Sequence, residues 1–315
     1  MSVLILEPLE TEVVQWLAER HDARFAPELV GDTEGLLDAL QDARALIAPP
    51  EVRIDAELLR GAPQLRAIGR ASGGSENIDV EACRKAGVDV VRSQTATANA
   101  EAEFVIGALL SLLRRVPVEG SDGLMVGREL GCSTVGILGL TASARVLAQL
   151  LPAFGTRVIG YDPALHPSDA IWERWGIEAV GLSELVEQSD GVVLLLPFYE
   201  RYRGLLSERQ LDGARSGQVL VSLSHSGVFD ESALARALQT GRLLAAWFDS
   251  LEPGWLEPGR PLHGITTLQV TPRLAGTTRE SRVRAAWAVA RRIDELLGVP
   301  VAVKPRAEPR AVGRY

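Results

Sequence analysis

Short runs of apolar residues alternate along the chain with longer stretches in which apolar positions recur at helical spacing. The clearest apolar runs are Val3–Leu6, Ala45–Ala48, Thr134–Gly139, Gly191–Pro197 and Gln218–Ser222. Amphipathic stretches separate or follow them, as at Thr11–Glu19 and Ser281–Leu297. Continuous apolar runs are typical of strands that are buried on both faces of a parallel sheet. Strands that alternate with helices therefore predict an α/β fold built from right-handed βαβ units.

Composition narrows the class of protein. The 315 residues suggest two domains at about 150 residues each. The sequence contains no run of about 18 apolar residues, so no transmembrane helix is predicted. The net charge of −8 disfavours binding to nucleic acid or anionic lipid. Two cysteines, Cys83 and Cys132, cannot build a disulfide framework, so a cytoplasmic location is expected. The sequence contains no cluster of histidines and cysteines at metal-ligand spacing, so no metal site is predicted.

A glycine-containing turn is the first candidate for chemistry. The segment Gly136–Ala144 follows a predicted strand, opens a predicted helix and precedes Asp162 by about 20 residues. A dinucleotide-binding turn requires small residues at three positions, for the tight turn, for the pyrophosphate and for helix packing. Gly139 fills the first position, Thr141 the second and Ala144 the third.

The second position is unusual. Thr141 places a β-branched side chain where the pyrophosphate would lie, and threonine does not readily adopt a positive φ. Asp162 is placed to accept hydrogen bonds from the ribose hydroxyls of NAD and would repel the 2′-phosphate of NADP. Two interpretations stay open: the turn binds NAD, or it keeps the fold and has lost the ligand. If NAD binds, the contacts predicted here are Gly139, Thr141, Ala142, Ser143 and Asp162.

Over nearly its whole length the sequence resembles the D-isomer-specific 2-hydroxyacid dehydrogenases. The matching stretches are Gly69–Asp79, Ala98–Glu103, Thr134–Gly155, Val158–Pro163, Leu196–Pro197, Gly227–Leu234, Asp249–Pro253 and Thr271–Gly276. The resemblance implies a Rossmann-type, doubly wound dinucleotide-binding domain inserted into a discontinuous, flavodoxin-like substrate domain. The expected boundaries are 1–98 plus 277–315 for the substrate domain and 99–276 for the inserted domain, with the active site between them.

All three catalytic positions implied by the resemblance are changed. His225 stands at the position of the family's arginine, Gly254 at that of its acid and Arg273 at that of its histidine. In the family the arginine orients the substrate's carboxylate and 2-oxo group. The histidine exchanges a proton with the 2-hydroxyl, and the acid orients that histidine.

Three hypotheses follow from these changes. In the first, the histidine and the arginine have exchanged places, so His225 acts as proton donor or base and Arg273 binds an anionic group. Glu252 and Glu257 are then the candidates for the acid partner of His225. In the second, the site carries other, repurposed chemistry. In the third, the site has drifted, and His225 and Arg273 are polar residues at strand ends.

The resemblance also assigns residues outside the catalytic set. It implies a loop that holds the substrate carboxylate, a family aspartate that contacts the nicotinamide carboxamide, and further cofactor contacts. In this sequence these are Gly73, Gly74 and Ser75 for the loop, Asp249 for the aspartate, and Pro197 and Ser224 for the further contacts. Tyr199–Arg203 is predicted as a solvated surface loop, and the expected assembly is a homodimer.

The function predicted from the sequence is that of an NAD-dependent oxidoreductase with a rearranged active site. Its partner would be a small anionic molecule, a carboxylate-bearing hydroxy or oxo compound. The alternative is a non-catalytic binding or scaffold protein, or a repurposed non-redox enzyme, that retains the family fold.

Overall fold

The computed structural model describes residues 2–72, 77–93, 95–115 and 118–298. The chain divides into two compact units. One contains the residues up to Ser93 and those from Val283 onward, and the other contains Gln94–Arg282. The sequence prediction placed these divisions after residues 98 and 276.

The described residues form fourteen strands and eleven α-helices. The strands are β1 Val3–Ile5, β2 Ala23–Phe25, β3 Ala45–Ile47, β4 Ala67–Arg70, β5 Asp89–Arg92, β6 Val118–Glu119, β7 Met125–Val126, β8 Thr134–Leu138, β9 Arg157–Tyr161, β10 Glu178–Ala179, β11 Gly191–Leu194, β12 Gln218–Ser222, β13 Leu243–Phe248 and β14 Leu268–Val270. The helices are α1 Thr11–Arg20, α2 Thr33–Leu40, α3 Ala56–Arg60, α4 Val80–Ala86, α5 Ala98–Arg115, α6 Ala142–Leu150, α7 Ala170–Trp175, α8 Leu182–Gln188, α9 Glu208–Asp212, α10 Glu231–Gln239 and α11 Arg279–Gly298.

Aspartate side chains fix where many of the helices begin. A carboxylate at the N-cap accepts a hydrogen bond from a backbone N–H that has no partner inside the helix. This arrangement opens α2, α3, α4, α7 and α10, at Asp32, Asp55, Asp79, Asp169 and Asp230. The start of each of these helices is therefore encoded locally.

The discontinuous unit contains a parallel sheet with the strand order β2-β1-β3-β4-β5. This is the order of flavodoxin-like folds. Helix α11 packs on the sheet so closely that a Cβ at Gly69 would lie 2.6 Å from Val289 Cγ1. The late segment of the chain thereby completes the core of a unit that begins at β1.

The continuous unit contains a parallel sheet with the strand order β10-β9-β8-β11-β12-β13-β14. Counted from β8, the first six strands follow the order 3-2-1-4-5-6 of the doubly wound dinucleotide-binding fold, and β14 extends that sheet. The predicted α/β class and Rossmann-type architecture are confirmed. The strand order reverses between β8 and β11, and in open sheets of this kind ligands bind at the carboxyl ends of the strands at such a point.

A separate hairpin, β6–β7, lies between α5 and β8 in the sequence and exposes apolar side chains. Leu124, Met125 and Val126 are 63%, 61% and 44% exposed. None of the described helices combines the length and the apolar character that a membrane span requires.

Candidate active site

The turn after β8 is built around Gly139. Its φ of +100° lies in the left-handed region, and a Cβ there would lie 2.6 Å from both the N and the Cα of Leu196. Gly139 N also donates to the carbonyl of Tyr161, at 2.9 Å. Backbone geometry and close approach both require glycine here, and the turn lies where the strand order reverses.

Thr141 is the N-cap of α6 and has an extended backbone, with φ −89° and ψ 176°. The conformational conflict expected for a threonine at this position therefore does not arise. Its Oγ1 accepts from Ala144 N at 3.4 Å, so the side chain turns toward the helix. Among the described residues, the backbone N–H groups of Ala142 and Ser143 have no hydrogen-bond acceptor. Two free donors at the positive end of a helix form a site suited to an anion.

Asp162 connects this turn to β9. Its Oδ2 accepts from Leu140 N and its Oδ1 from Ala164 N, both at 2.8 Å, and the residue is buried. Each carboxylate oxygen has a second lone pair, so Asp162 can still accept a hydroxyl. The glycine turn, the two free N–H groups and Asp162 together fit the ribose and diphosphate of a dinucleotide.

Glu101 lies beside the same helix terminus. It belongs to the first turn of α5, and its Oε2 accepts a short hydrogen bond from Ser143 Oγ. Its Oε1 would lie 3.1 Å from a Cβ at Gly276. A carboxylate is therefore held between the starts of two helices, and no motif in the sequence predicts this contact.

His225 follows β12 and is held on three sides. Its Nδ1 accepts from Gly227 N at 3.0 Å, and its Nε2 lies 3.8 Å from Glu252 Oε1. The imidazole stacks on Phe198, with ring centroids 4.5 Å apart. Because Nδ1 acts as an acceptor, the neutral ring carries its proton on Nε2, which faces the carboxylate.

Glu252 is thus the acidic residue that the structure brings to His225. Its backbone N donates to Ser226 Oγ at 2.9 Å, which fixes the start of its loop beside the histidine. Gly254, at the family's acid position, has a φ of +89° and faces the carboxyl group of Glu257. Of the two candidate acids, Glu252 is the one whose carboxylate lies near His225, with Oε1 3.8 Å from Nε2.

Phe198 and Arg203 complete the surroundings of His225. Arg203 donates to both carboxylate oxygens of Glu200 at 2.5 and 3.1 Å, which lowers the pKa of Glu200. Its guanidinium carbon also lies 5.3 Å from the centroid of the Phe198 ring. A Cβ at Gly227 would lie 3.0 Å from His225 Nδ1, 3.2 Å from Arg203 Nη1 and 3.2 Å from the Phe198 ring. These three side chains therefore converge on one glycine.

The segment Tyr199–Arg203 only partly matches the solvated loop that was predicted. Most of it is exposed, but Tyr202 is 7% exposed and belongs to the hydrophobic core. Arg203 also lies at the His225 cluster. One feature of the sequence points to a role for this segment at the site: it follows Pro197, at the carboxyl end of a central strand.

Asp249 shapes the loop that carries Arg273. Its Oδ1 accepts from Thr271 Oγ1 at 2.7 Å and from Leu274 N at 2.8 Å, and its Oδ2 accepts from Ala275 N at 3.0 Å. Arg273 adopts a φ of +56°, and its N donates to the carbonyl of Asp249 at 2.6 Å. The aspartate predicted to contact the cofactor thus already holds a loop in place.

A cavity of about 750 Å³ lies next to these loops within the continuous unit. Arg273, Glu252 and Glu257 contribute the charges of its wall, together with mostly apolar neighbours. Glu252 links the two predicted catalytic residues, because it shares this cavity with Arg273 and pairs with His225.

The remaining predicted residues differ in their surroundings. Pro197 is exposed just after β11. Ser224 is buried, and its Oγ has no hydrogen-bond partner among the described residues. Gly73, Gly74 and Ser75 lie outside the described residues.

Comparison with protein families gives a match over the continuous unit. The sequence model described as "D-isomer specific 2-hydroxyacid dehydrogenase, NAD binding domain" matches residues 112–275. An (S)-sulfolactate dehydrogenase of Chromohalobacter salexigens is 34% identical over 307 residues, which cover 95% of this chain and 99% of that protein. A D-3-phosphoglycerate dehydrogenase of Mycobacterium tuberculosis is 32% identical over 91% of this chain, which spans 55% of that protein's length.

Solved structures give the same match in three dimensions. A protein of Thermus thermophilus superposes with a TM-score of 0.74 at 27% identity, covering 94% of this chain and 97% of that one. A D-lactate dehydrogenase of Aquifex aeolicus, complexed with NAD and lactic acid, superposes with a TM-score of 0.70 at 20% identity. The superposition covers 94% of this chain and 95% of that chain, and it supports the assignment of the fold.

Proposed function

The chain belongs to the family of D-isomer-specific 2-hydroxyacid dehydrogenases, and from this premise we propose that it is an NAD-dependent oxidoreductase with a rearranged active site. Its substrate is a small carboxylate-bearing hydroxy or oxo compound. The observation that carries the proposal is the pairing of His225 Nε2 with Glu252 Oε1 at 3.8 Å, beside a cavity that Arg273 also lines.

The residues proposed to hold NAD are those of the glycine turn and its surroundings. The N–H groups of Ala142 and Ser143 are available to the diphosphate, and Asp162 to the ribose hydroxyls. When bound, the cofactor would accept a hydride as NAD⁺ during oxidation of the substrate and supply one as NADH during reduction. Pro197, Ser224 and Asp249 are the further proposed contacts, and their positions at the carboxyl ends of β11, β12 and β13 support this assignment.

The oxygen on C2 of the substrate is proposed to bind between His225 and Glu252. An oxygen about 2.8 Å from each group fits between atoms that are 3.8 Å apart. Because Nδ1 is engaged by Gly227, His225 acts as a neutral donor, and its Nε2–H stabilises negative charge on that oxygen. Glu252 is then the group that accepts the hydroxyl proton during oxidation and returns it during reduction.

Arg273 is proposed to bind the substrate carboxylate. Its exposed side chain lines the cavity, and a guanidinium can engage a carboxylate through two parallel hydrogen bonds. The positive φ of Arg273 and the three hydrogen bonds that Asp249 makes to its loop fix the backbone from which this side chain extends. Substrate binding by Gly73, Gly74 and Ser75, which lie outside the described residues, is proposed from the sequence alone.

The test is steady-state kinetics with NADH and a panel of 2-oxo acids that includes glyoxylate and pyruvate. We expect His225→Ala to lower kcat about 100-fold or more, as does the loss of one oxyanion donor. His225→Gln keeps an N–H donor and should lose much less. Glu252→Gln should lower kcat about 100-fold or more. Arg273→Ala should mainly raise KM, and Arg273→Lys should restore part of the loss.

Equal activity of His225→Ala and His225→Gln at a low level would contradict the neutral-donor role and favour proton transfer by the histidine. Activity within twofold of wild type in all of these variants would exclude the rearranged site.

Thermal unfolding of the protein in the presence of NAD distinguishes the proposed oxidoreductase from the alternative function. A ligand at 100 times its Kd adds about 2.7 kcal/mol to the free energy of unfolding. No shift in Tm, together with no turnover, would contradict the proposed function and favour the alternative, a non-catalytic binding or scaffold protein or a repurposed non-redox enzyme.

We further propose that the protein is a homodimer in the cytoplasm. The neighbouring apolar side chains Leu124, Met125 and Val126, which the β6–β7 hairpin exposes, support the dimer, since large exposed apolar patches mark interaction surfaces. The free thiols Cys83 and Cys132 support the location.

A further inference from the structure

The carboxylate of Glu101 lies next to the helix terminus that is proposed to bind the cofactor diphosphate. We propose that Glu101 acts as an intramolecular anion that opposes the diphosphate and thereby sets the affinity of this chain for dinucleotides. The inference rests on the proposed binding of NAD and goes beyond it, because it concerns a residue of α5 that makes no assigned cofactor contact.

Ser143 brings the two anions together. Its Oγ donates to Glu101 Oε2, while its backbone N–H, like that of Ala142, has no acceptor among the described residues. Both groups belong to one residue, so a phosphate oxygen bound to this N–H would lie no more than about 9 Å from the carboxylate. At that distance two unit charges repel enough to change an affinity about tenfold, at an effective dielectric constant between those of protein and water.

The carboxylate is held in place by its surroundings. Glu101 is in the first turn of α5 and faces the first turn of α6, and a negative charge is favourable at both helix starts. Ser143 is 4% exposed, and a Cβ at Gly276 would be only 3.1 Å from Glu101 Oε1, so the space around the carboxylate is restricted. The hydrogen bond that the described residues give this carboxylate comes from the neutral hydroxyl of Ser143. An arriving diphosphate therefore meets a carboxylate that is held in place.

The experiment compares the affinity for NAD of the wild type, Glu101→Gln and Glu103→Gln, measured by titration calorimetry on the full chain. Glu103 is on the same helix and exposed, so Glu103→Gln changes the net charge equally without touching Ser143. Adenosine, which has no phosphate, is the second probe. Each titration is repeated at low and high NaCl concentration, and the Tm of each variant is recorded.

We expect Glu101→Gln to bind NAD about tenfold more tightly than wild type, and Glu103→Gln to stay within twofold. The gain should shrink at high salt, because salt screens the repulsion, and it should be absent for adenosine. A lower Tm for Glu101→Gln with an unchanged Kd for NAD would overturn the inference and leave the proposed function intact, since Glu101 would then only join two helices. No binding of NAD to wild type or to Glu101→Gln would overturn both. Binding to Glu101→Gln alone would support both.

Discussion

Replacing Gly139 by alanine would destabilise the fold in two separate ways. Alanine at a positive φ costs about 1–2 kcal/mol, and at Gly139 its Cβ would also meet the backbone of Leu196 at 2.6 Å. We expect Gly139→Ala to lower the free energy of unfolding by about 3 kcal/mol or more. The measurement is urea unfolding at equilibrium.

Gly155 provides the matched control. Its φ of +89° is similar, but the nearest atom to a Cβ there is Gly131 O, at 3.5 Å. Gly155→Ala should therefore cost only the conformational part, about 1–2 kcal/mol. Equal losses in the two variants would show that the contact with Leu196 contributes nothing.

The sequence supplied the candidate site residues but could not give the partners of their side chains. The glycine turn could be predicted because its spacing follows from local backbone geometry. The pairing of His225 with Glu252 could not, since counting along the family pattern leads to Gly254 and only the path of the loop brings Glu252 back. The concern about Thr141 was wrong in its conformational part for a related reason. An N-cap residue is extended and needs no positive φ.

Among the elements, the loop from Thr271 to Ala275 depends on one carboxylate. In Asp249→Asn the amide nitrogen replaces one oxygen, so a backbone N–H of Leu274 or Ala275 loses its acceptor. Leaving a buried donor unpaired costs about 1–3 kcal/mol. We expect the amides of residues 274 and 275 to exchange with deuterium much faster than in the wild type, as followed by hydrogen-exchange mass spectrometry.

Thr271→Val is the control for this loop, because it removes only the hydroxyl that donates to Asp249. Its amides at 274 and 275 should keep most of their protection. Unchanged exchange in Asp249→Asn would mean that the loop is held by other contacts, and the positioning of Arg273 would need another explanation.

Long, strongly patterned elements were the predictable part of the fold. The central strands β8, β11 and β12 follow directly from apolar runs, because these strands are buried on both faces. The short strands β1 and β3 follow from such runs as well, whereas β2, β10 and the β6–β7 hairpin were missed. Their residues carry too few alternations for a period to be recognised, and their pairing is decided by neighbouring strands.

For the whole molecule, the assembly can be tested at the hairpin. The double substitution Leu124→Asp and Met125→Asp places charges on the two most exposed of its apolar side chains. If the hairpin forms the proposed dimer interface, light scattering after size exclusion should give the mass of two chains for wild type and of one chain for the variant.

Val80 offers a matched control on the other unit, as a single exposed apolar residue on α4. Val80→Asp should keep the mass of wild type. A wild-type protein that elutes with the mass of one chain at all concentrations would contradict the dimer, and a variant that remains dimeric would move the interface elsewhere.

The discontinuous unit also constrains how the chain matures during translation. Strands β1, β3 and β4 leave the ribosome first, yet Val3, Ile5 and Ile47 share a core with Val289 and Ile293 of α11. The ribosome adds about 5–20 residues per second, so the 208 residues between the end of β4 and the start of α11 take about 10–40 s to make. During that interval the continuous unit can already fold, while one apolar face of the first sheet is covered by α1 and lacks the part of its cover that α11 supplies. The nascent chain is therefore a natural client for a chaperone until α11 is made.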